Sequence, residues 1–243
     1  MIPDDANPTA NVRSSTGGGL TVARVALLDD YQGVALSMAD WKSLPAGTEV
    51  QAFEDHLADE GALADLNAAV EYLKRLPSVN ASRIGIIGVC QSGRQSLLLP
   101  ANRNDIAGAV VLYGAIGGRE WQGNELRPTP VEELVAKVSC PVLGAFGEAD
   151  HIISVDDVMR FRNCFEKAKK SYHIRLYRDA PHGWLNDTMP GRYRKEAAND
   201  AWKLMMAFLK KCFAGGWDKD RIVCTFESDY SAKYDFSKNV RME

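Results

Sequence analysis

Residues 84–93, IGIIGVCQSG, decide the fold of this chain. A short apolar run rich in β-branched residues ends in small residues around one cysteine, and the residues that follow, 94–99, can begin a helix. This order is typical of a nucleophile elbow, in which a strand turns sharply into a helix and holds a reactive atom at the turn. Gly88 and Ser92 meet the steric requirement, because the helix backbone passes close to the strand backbone there.

Cys90 occupies the nucleophile position of this pattern. At a helix N-terminus the partial positive charge of the helix stabilises a thiolate, so Cys90 is the candidate reactive group. Two alternatives stay open at this point. Cysteine is among the most buried residue types, and Cys90 could be inert packing. Ser92 could be the nucleophile instead, but Arg94 would then occupy a position that requires a small residue.

The composition limits the classes of protein that fit. The chain has 243 residues, enough for one α/β domain or two small ones, and its 46% hydrophobic and 25% charged residues are typical of soluble globular proteins. The net charge of −3 gives no reason to expect nucleic acid or an anionic membrane as a partner. No apolar run approaches the roughly 18 residues that span a bilayer, and residues 1–19 do not look like a secretory signal.

The cysteine usage indicates a reducing compartment. No pair has the spacing of metal ligands or of a Cys-x-x-Cys motif, and the number is odd. We therefore expect a cytoplasmic protein in which Cys90 stays a free thiol, with no metal and no cofactor. No glycine-rich dinucleotide motif follows a predicted strand. The five cysteines are Cys90, Cys140, Cys164, Cys212 and Cys224.

Strands and helices alternate along the chain. This alternation predicts an α/β fold, with a mostly parallel sheet and helices on both of its faces. Ligands of such sheets bind beyond the carboxyl ends of the strands. Apolar runs predict strands at residues 22–28, 49–53, 84–88, 109–113, 141–146, 172–177 and 222–226. Helical periodicity and capping predict helices near 34–41, around 63–73, from 94, and at 131–137, 154–169 and 193–213, with Ser154 as an N-cap. Residues 117–130 lack periodicity and are predicted to form a loop over the site.

A cysteine nucleophile needs a base, and the base needs a group that orients it. Among the four histidines, His182 lies in a loop just after the predicted strand 172–177, where it can reach a neighbouring elbow. His173 lies within that strand and is expected to be structural, whereas His56 lies in a polar stretch and is expected at the surface.

The orienting group is expected after the strand at residues 141–146. Asp150 can direct its carboxylate towards a histidine on the next loop, while Glu148 is a competing candidate closer to the strand. His151 could be the partner of Asp150, although adjacent residues form such a bond with difficulty. The chain order Cys90, Asp150, His182 matches the nucleophile, acid and histidine order of α/β-hydrolases.

Three motifs in this order resemble the dienelactone hydrolase family over about residues 62–213. They are GVCQSG at 88–93, GEAD at 147–150 and APHGW at 180–184. The resemblance implies an α/β-hydrolase-like fold and a Cys90-Asp150-His182 triad that opens small lactones or carboxylic esters through an acyl-enzyme. The backbone N–H of Gln91 would donate to the oxyanion. The alternative is a catalytically silent hydrolase-fold protein that binds a small ligand or a partner.

Family substrates can carry a carboxylate that arginines bind. The candidates for this role are Arg94, Arg119, Arg192 and Arg194.

The front of the chain departs from this family. VALLDDYQG at 25–33 and HLADE at 56–60 resemble the N-terminal part of D-2-hydroxyacid dehydrogenases. We find neither the family's second oxyanion donor nor its acidic residue near the cysteine, so the N-terminal part of the fold is expected to be atypical or incomplete. The predicted organisation is a disordered tail, a dehydrogenase-like β/α segment, a catalytic domain, and an extension that could act as the arm of a homodimer. These regions are residues 1–20, 21–61, 62–215 and 216–243.

Overall fold

The computed structural model describes six stretches of the chain, which are residues 24–27, 35–37, 42, 49–52, 58–217 and 221–229. The predicted disordered tail at residues 1–20 lies outside them. Contacts divide the chain into two compact units, Met1–His56 and Leu57–Glu243. The predicted boundaries of the four regions are not tested by this division and stay predictions.

The described residues of the first unit include two short parallel strands. β1 (Arg24–Leu27) pairs with β2 (Glu49–Ala52). Both lie inside the strands predicted at 22–28 and 49–53. Of the helix predicted at 34–41, the described residues show one 3₁₀ turn at Ala35–Ser37, and the remainder lies outside the described stretches.

The second unit is built on a five-stranded sheet in which every neighbouring pair is parallel. The strand order is the order along the chain, β3-β4-β5-β6-β7. This arrangement confirms the predicted parallel α/β fold. The strands are β3 (Gly85–Val89), β4 (Gly108–Leu112), β5 (Val142–Gly147), β6 (Tyr172–Tyr177) and β7 (Cys224–Ser228). The helices are α1 (Asp59–Arg75), α2 (Gln95–Asn102), α3 (Val131–Lys137), α4 (Val155–Ala168) and α5 (Lys195–Phe213).

Local sequence signals account for where several helices begin. Ser154 caps α4, because its hydroxyl accepts a hydrogen bond from the backbone N–H of Asp157 at 3.1 Å, while the Asp157 carboxylate bonds back to the Ser154 backbone. The predicted N-cap is therefore confirmed. α1 begins at Asp59, earlier than the apolar spacing from Leu63 indicates, because its first turn is polar.

Helices cover both faces of the five-stranded sheet. Helices α1 to α4 contribute to one buried apolar cluster and α5 contributes to the other. Every residue of β4 and β5 is buried, as expected for central strands of a covered parallel sheet. β3 lies at an edge of this sheet, so Ile87 and Val89 of its apolar run are 48% and 38% exposed.

The parallel arrangement gathers the carboxyl ends of four strands at one edge of the second unit. Cys90 follows β3, Tyr113 follows β4, Asp150 lies just beyond β5, and His182 lies just beyond β6. The fold therefore brings the predicted site residues together in space although 92 positions separate Cys90 from His182.

Among the described residues, no helix is long and apolar enough to cross a membrane.

Candidate active site

The chain makes a strained turn at Cys90. This residue has a positive φ of 55° and begins a 3₁₀ turn, Cys90–Gly93, that follows β3 and leads into α2. A side chain on Gly88 would overlap the backbone oxygen of Ser92, and one on Gly114 would overlap the backbone oxygen of Cys90. Backbone segments therefore approach so closely that only glycine fits at both positions, as the elbow pattern requires.

The hydroxyl of Ser92 helps to close this turn. It accepts a hydrogen bond from the backbone N–H of Val89 at 2.9 Å and donates one to the backbone oxygen of Val89, also at 2.9 Å. These bonds keep the hydroxyl at the base of the elbow. This geometry agrees with the preference for Cys90 over Ser92 that the position of Arg94 in the sequence indicates.

Cys90, His182 and Asp150 form a continuous chain of hydrogen-bonding atoms. Sγ of Cys90 lies 3.1 Å from Nε2 of His182, and Nδ1 of His182 lies 2.9 Å from Oδ2 of Asp150. The other carboxylate oxygen, Oδ1 of Asp150, accepts the backbone N–H groups of Ile152 at 2.8 Å and Ile153 at 3.0 Å. His182 and Asp150 are buried and Cys90 is half-buried. The carboxylate is thus fixed by its own loop and presents one oxygen to the imidazole.

The pKa shifts of the three hydrogen-bonded side chains favour a Cys90 thiolate beside a His182 imidazolium. The hydrogen bond with His182 lowers the pKa of Cys90 against the opposing effect of burial, and the backbone N–H of Gln91 lowers it further. Hydrogen bonds to Asp150 and then to Cys90 raise the pKa of His182 to about 9. Burial raises the pKa of Asp150, but the bonds from His182 and the two backbone N–H groups outweigh it, so the net pKa is lowered.

Among the described residues, the competing acid and histidines do not join the hydrogen-bonded chain of Cys90, His182 and Asp150. Glu148 is partly exposed, and the imidazole bonds to Asp150 instead. His151 is exposed and its ring centroid lies 6.2 Å from that of His182, so it borders the site without joining the hydrogen-bonded chain. His173 lies on β6, 3.6 Å from Glu227 on β7, in agreement with its predicted structural position. His56 lies outside the described residues.

Sequence reasoning missed one residue of this site, Tyr113. Its ring meets the imidazole of His182 edge-on, with centroids 5.3 Å apart and planes at 73°, and meets the Trp184 ring at 5.6 Å. The signal that could have found it is positional. The sequence predicted strands at 84–88 and 109–113 in a parallel sheet but did not predict their order. Pairing them as neighbours, as the structure does, places the residue after β4 beside the residue after β3.

Arg94, one of the four candidates for binding a substrate carboxylate, is buried and already paired with protein carboxylates. Its side chain is 2% exposed, and its guanidinium donates to both carboxylate oxygens of Asp59, at 2.8 and 2.5 Å, and to Glu120 at 2.9 Å. It also donates to the backbone oxygen of Thr129 at 2.6 Å. Arg94 precedes α2, and its hydrogen bonds therefore connect the beginning of α2 with the beginning of α1 and with the loop predicted at residues 117–130.

The remaining arginine candidates differ in their surroundings. The guanidinium of Arg194 donates to backbone oxygens of its own region, including that of Asp179 at 2.9 Å. Arg119 and Arg192 are exposed. The Arg192 side chain lies within 4 Å of the position that a Cβ would take on Gly183, which directly follows His182. Arg192 therefore borders the imidazole loop, and its role in binding stays a prediction.

The parallel sheet and the elbow, with an acid after β5 and a histidine after β6, are the arrangement of the α/β-hydrolases. A model of the dienelactone hydrolase family matches residues 43–213. The chain therefore belongs to the dienelactone hydrolase family. The match begins inside the segment that resembles dehydrogenases, so the family likeness extends closer to the N-terminus than the three motifs indicate.

Two curated relatives show how much of the family's length is present. A protein named "Putative carboxymethylenebutenolidase" from Methylorubrum extorquens is 31% identical over 153 residues, which are 63% of this chain and 51% of the relative. A "Probable 2-oxo-3-(5-oxofuran-2-ylidene)propanoate lactonase" from Bradyrhizobium is 31% identical over 163 residues, 67% of this chain and 64% of the relative. The chain thus spans about half to two thirds of the length of these relatives.

Solved structures with low sequence identity share the fold. A structure titled "Putative Dienelactone Hydrolase" from Klebsiella pneumoniae aligns with a TM-score of 0.62 at 23% identity, and the alignment covers 82% of this chain and 90% of that one. The dienelactone hydrolase-like phosphotriesterase P91 from metagenomic libraries aligns with a TM-score of 0.52 at 16% identity, over 63% and 62% of the two chains.

Proposed function

We propose that this protein hydrolyses small lactones or carboxylic esters, with Cys90 as nucleophile, His182 as proton shuttle and Asp150 as orienting acid. One observation carries the proposal, the unbroken path from Sγ through the imidazole to the carboxylate, with steps of 3.1 and 2.9 Å. The first distance allows proton transfer between the thiol and the imidazole. The second allows the carboxylate to orient the imidazole.

In the first half of the reaction, the Cys90 thiolate attacks the carbonyl carbon while the proton of the thiol resides on His182. The negative charge that develops on the carbonyl oxygen is stabilised by the backbone N–H of Gln91, which also helps to lower the pKa of Cys90. The carbon–oxygen single bond of the ester then breaks, and the His182 imidazolium protonates the departing alkoxide. A thioester acyl-enzyme remains, and for a lactone the new hydroxyl stays attached to the acyl group.

In the second half, His182 acts as a base towards water. Acylation converts the thiolate into an uncharged thioester, so the contribution of Cys90 that raises the His182 pKa is lost. The imidazole then takes a proton from the attacking water and returns it to the sulfur as the thioester bond breaks. Asp150 keeps Nδ1 protonated throughout, so that Nε2 is free to accept.

The substrate we propose is a small lactone that carries a carboxylate. The names of the two relatives support this class, since one denotes a lactonase acting on an oxofuranylidene propanoate and the other a carboxymethylenebutenolidase. Arg192 is the side chain we propose for the carboxylate, because it is exposed and borders the loop of His182. A cytoplasmic location, a homodimer and the absence of a nucleic-acid partner remain predictions from the sequence.

The decisive experiment compares wild type with Cys90→Ala on p-nitrophenyl acetate and on a small γ-lactone. Cys224→Ala is the matched control, because Cys224 is an exposed free cysteine on β7. We expect a rapid initial release of p-nitrophenol followed by slower turnover for wild type and the control, and loss of both phases for Cys90→Ala.

Equal rates in all three proteins would refute the proposed nucleophile. Absence of turnover in wild type, together with a Cys90 that iodoacetamide alkylates no faster than Cys224, would favour the silent ligand-binding protein instead.

A further inference from the structure

Tyr113 is the first residue after β4 and lies next to Cys90, the proposed nucleophile, at the carboxyl ends of the strands. Val89 of β3 is the parallel register partner of Leu112 of β4, so the next residues, Cys90 and Tyr113, begin adjacent turns. Both have positive φ values, 55° and 36°, which are uncommon for residues other than glycine. Strained backbone of this kind persists where the surroundings hold it, and it concentrates at functional sites.

The surroundings hold the Tyr113 backbone from both neighbouring strands. Its N–H donates to the backbone oxygen of Ala145 on β5 at 2.8 Å. The next residue, Gly114, packs directly against the backbone oxygen of Cys90. The direction in which the Tyr113 side chain leaves the strand is therefore set by β3 and β5 together.

Strand order explains why His182 needs support at this point. The imidazole comes from the loop after β6, whereas the thiol lies at the end of β3, two strands beyond β5. The imidazole must therefore extend across the ends of β5 and β4. Asp150 supports it at the end of β5 through Nδ1, and the Tyr113 ring supports it at the end of β4, with the two ring centroids 5.3 Å apart.

We propose that Tyr113 is a positioning residue whose ring fixes the plane of the His182 imidazole and keeps Nε2 directed at Sγ of Cys90. A single hydrogen bond at Nδ1 leaves the imidazole free to tilt, and a hydrogen bond weakens steeply as its angle departs from linear. The edge-on contact with a buried ring removes this freedom, because Tyr113 is 5% exposed and packs in turn on Trp184. The inference rests on the function proposed above.

The ring carries this role, and the hydroxyl does not. Among the described residues, the Tyr113 hydroxyl has no hydrogen-bond partner. Burial, and then the negative charge of Cys90, raise the pKa of Tyr113 to about 12, so the phenol stays protonated at neutral pH and does not compete with His182 as a base.

The test uses two variants of Tyr113. Tyr113→Leu removes the aromatic ring, and Tyr113→Phe keeps the ring but removes the hydroxyl. Tyr177→Leu is the control, because Tyr177 is also buried and also packs on Trp184, at 4.9 Å, but its hydroxyl donates to Asp200 away from the thiol. Tyr113→Met is measured in parallel in case the leucine variant does not fold. For each protein we measure kcat and KM on the activated ester, the iodoacetamide rate of Cys90 between pH 5 and 9, and the melting temperature.

We expect Tyr113→Leu to lower kcat by about 10- to 100-fold with KM changed by less than about twofold, the size of effect that follows a misplaced catalytic group. Its alkylation profile should shift to higher pH, because a poorly directed imidazole stabilises the thiolate less. Tyr113→Phe should restore both the rate and the profile. Tyr177→Leu should lower the melting temperature without moving the alkylation profile.

A wild-type alkylation profile in Tyr113→Leu would overturn the proposal, and so would an equal loss in Tyr113→Phe and Tyr113→Leu, which would assign the role to the hydroxyl. Failure of the proposed function has a different signature. In that case Cys90→Ala would hydrolyse the ester as fast as wild type, while the alkylation profiles would still report on Tyr113.

Discussion

Replacing Asp150 by asparagine tests the arrangement of the triad with little change in shape. The amide oxygen of Asp150→Asn can accept the backbone N–H groups of Ile152 and Ile153 as Oδ1 does now, at 2.8 and 3.0 Å, so the loop should keep its conformation. The amide NH₂ then faces Nδ1 of His182, where Oδ2 lies at 2.9 Å. Since that NH₂ donates, Nδ1 must accept, and the proton of the neutral imidazole moves to Nε2.

A proton on Nε2 prevents His182 from acting as a base towards the thiol or towards water. The loss that follows from the wrong tautomer in a nucleophile, histidine and acid triad is about 10⁴-fold in rate. At 1.36 kcal/mol per factor of ten, this equals about 5.5 kcal/mol of transition-state stabilisation. Two opposing effects then act on the pKa of Cys90, because the imidazolium that lowers it loses its carboxylate while the Asp150 charge that raises it is removed.

The assay is steady-state hydrolysis of p-nitrophenyl acetate by wild type, Asp150→Asn and the control Glu148→Gln. Glu148 lies two residues away, is partly exposed, and was the competing acid in the sequence. We expect the large loss in Asp150→Asn alone, with a melting temperature close to that of wild type. A large loss in Glu148→Gln with normal rates in Asp150→Asn would refute the assignment of the orienting acid.

Four further predictions concern the thiol, the elbow, the buried arginine and the substrate. The iodoacetamide rate of Cys90 should fall as pH decreases through its lowered pKa, with a midpoint below the value of about 8.5 of an ordinary thiol. Gly88→Ala should abolish activity or folding, because its Cβ would overlap backbone, and thermal unfolding with ester turnover checks this. Arg94→Met should cost about 3–5 kcal/mol in urea unfolding, because it removes the partner of the buried Asp59 carboxylate and leaves Glu120 with Arg127 alone, whereas Lys167→Met, which breaks an exposed ion pair, should cost less than about 1 kcal/mol. Arg192→Gln should raise KM for a lactone that carries a carboxylate and leave KM for p-nitrophenyl acetate unchanged.

The parts of the fold that follow from local sequence could be predicted. Residues 131–137 and 172–177 were predicted as a helix and a strand, and α3 and β6 have these bounds. The elbow was predictable for a steric reason, since a turn in which backbones nearly touch accepts only small residues around Cys90. Parallel pairing then gathers the strand ends, so an acid and a histidine just after two strands were expected to meet.

Interactions between distant residues could not be predicted in this way. Arg94 carried no local sign that it would be buried, because its partners Asp59 and Glu120 lie 35 and 26 positions away. The position of β3 at an edge of the five-stranded sheet could not be predicted either, because an apolar run of β-branched residues is equally typical of a central strand. The positive φ of Tyr113 depends on both neighbouring strands, and sequence alone does not encode it at that residue.

Activation of the thiol and stabilisation of the oxyanion depend on different sets of groups that share the Gln91 N–H. The groups that lower the pKa of Cys90 are His182 and the N–H of Gln91. Asp150 raises the pKa of His182, and all three groups lie on the carboxyl-end loops of β3, β5 and β6. In the proposed mechanism the N–H of Gln91 is one oxyanion donor. Alkylation of Cys90 therefore measures the triad, whereas ester turnover measures the triad and the oxyanion donors together. Fast alkylation with slow turnover would mean that the triad is assembled and that the oxyanion lacks a second donor.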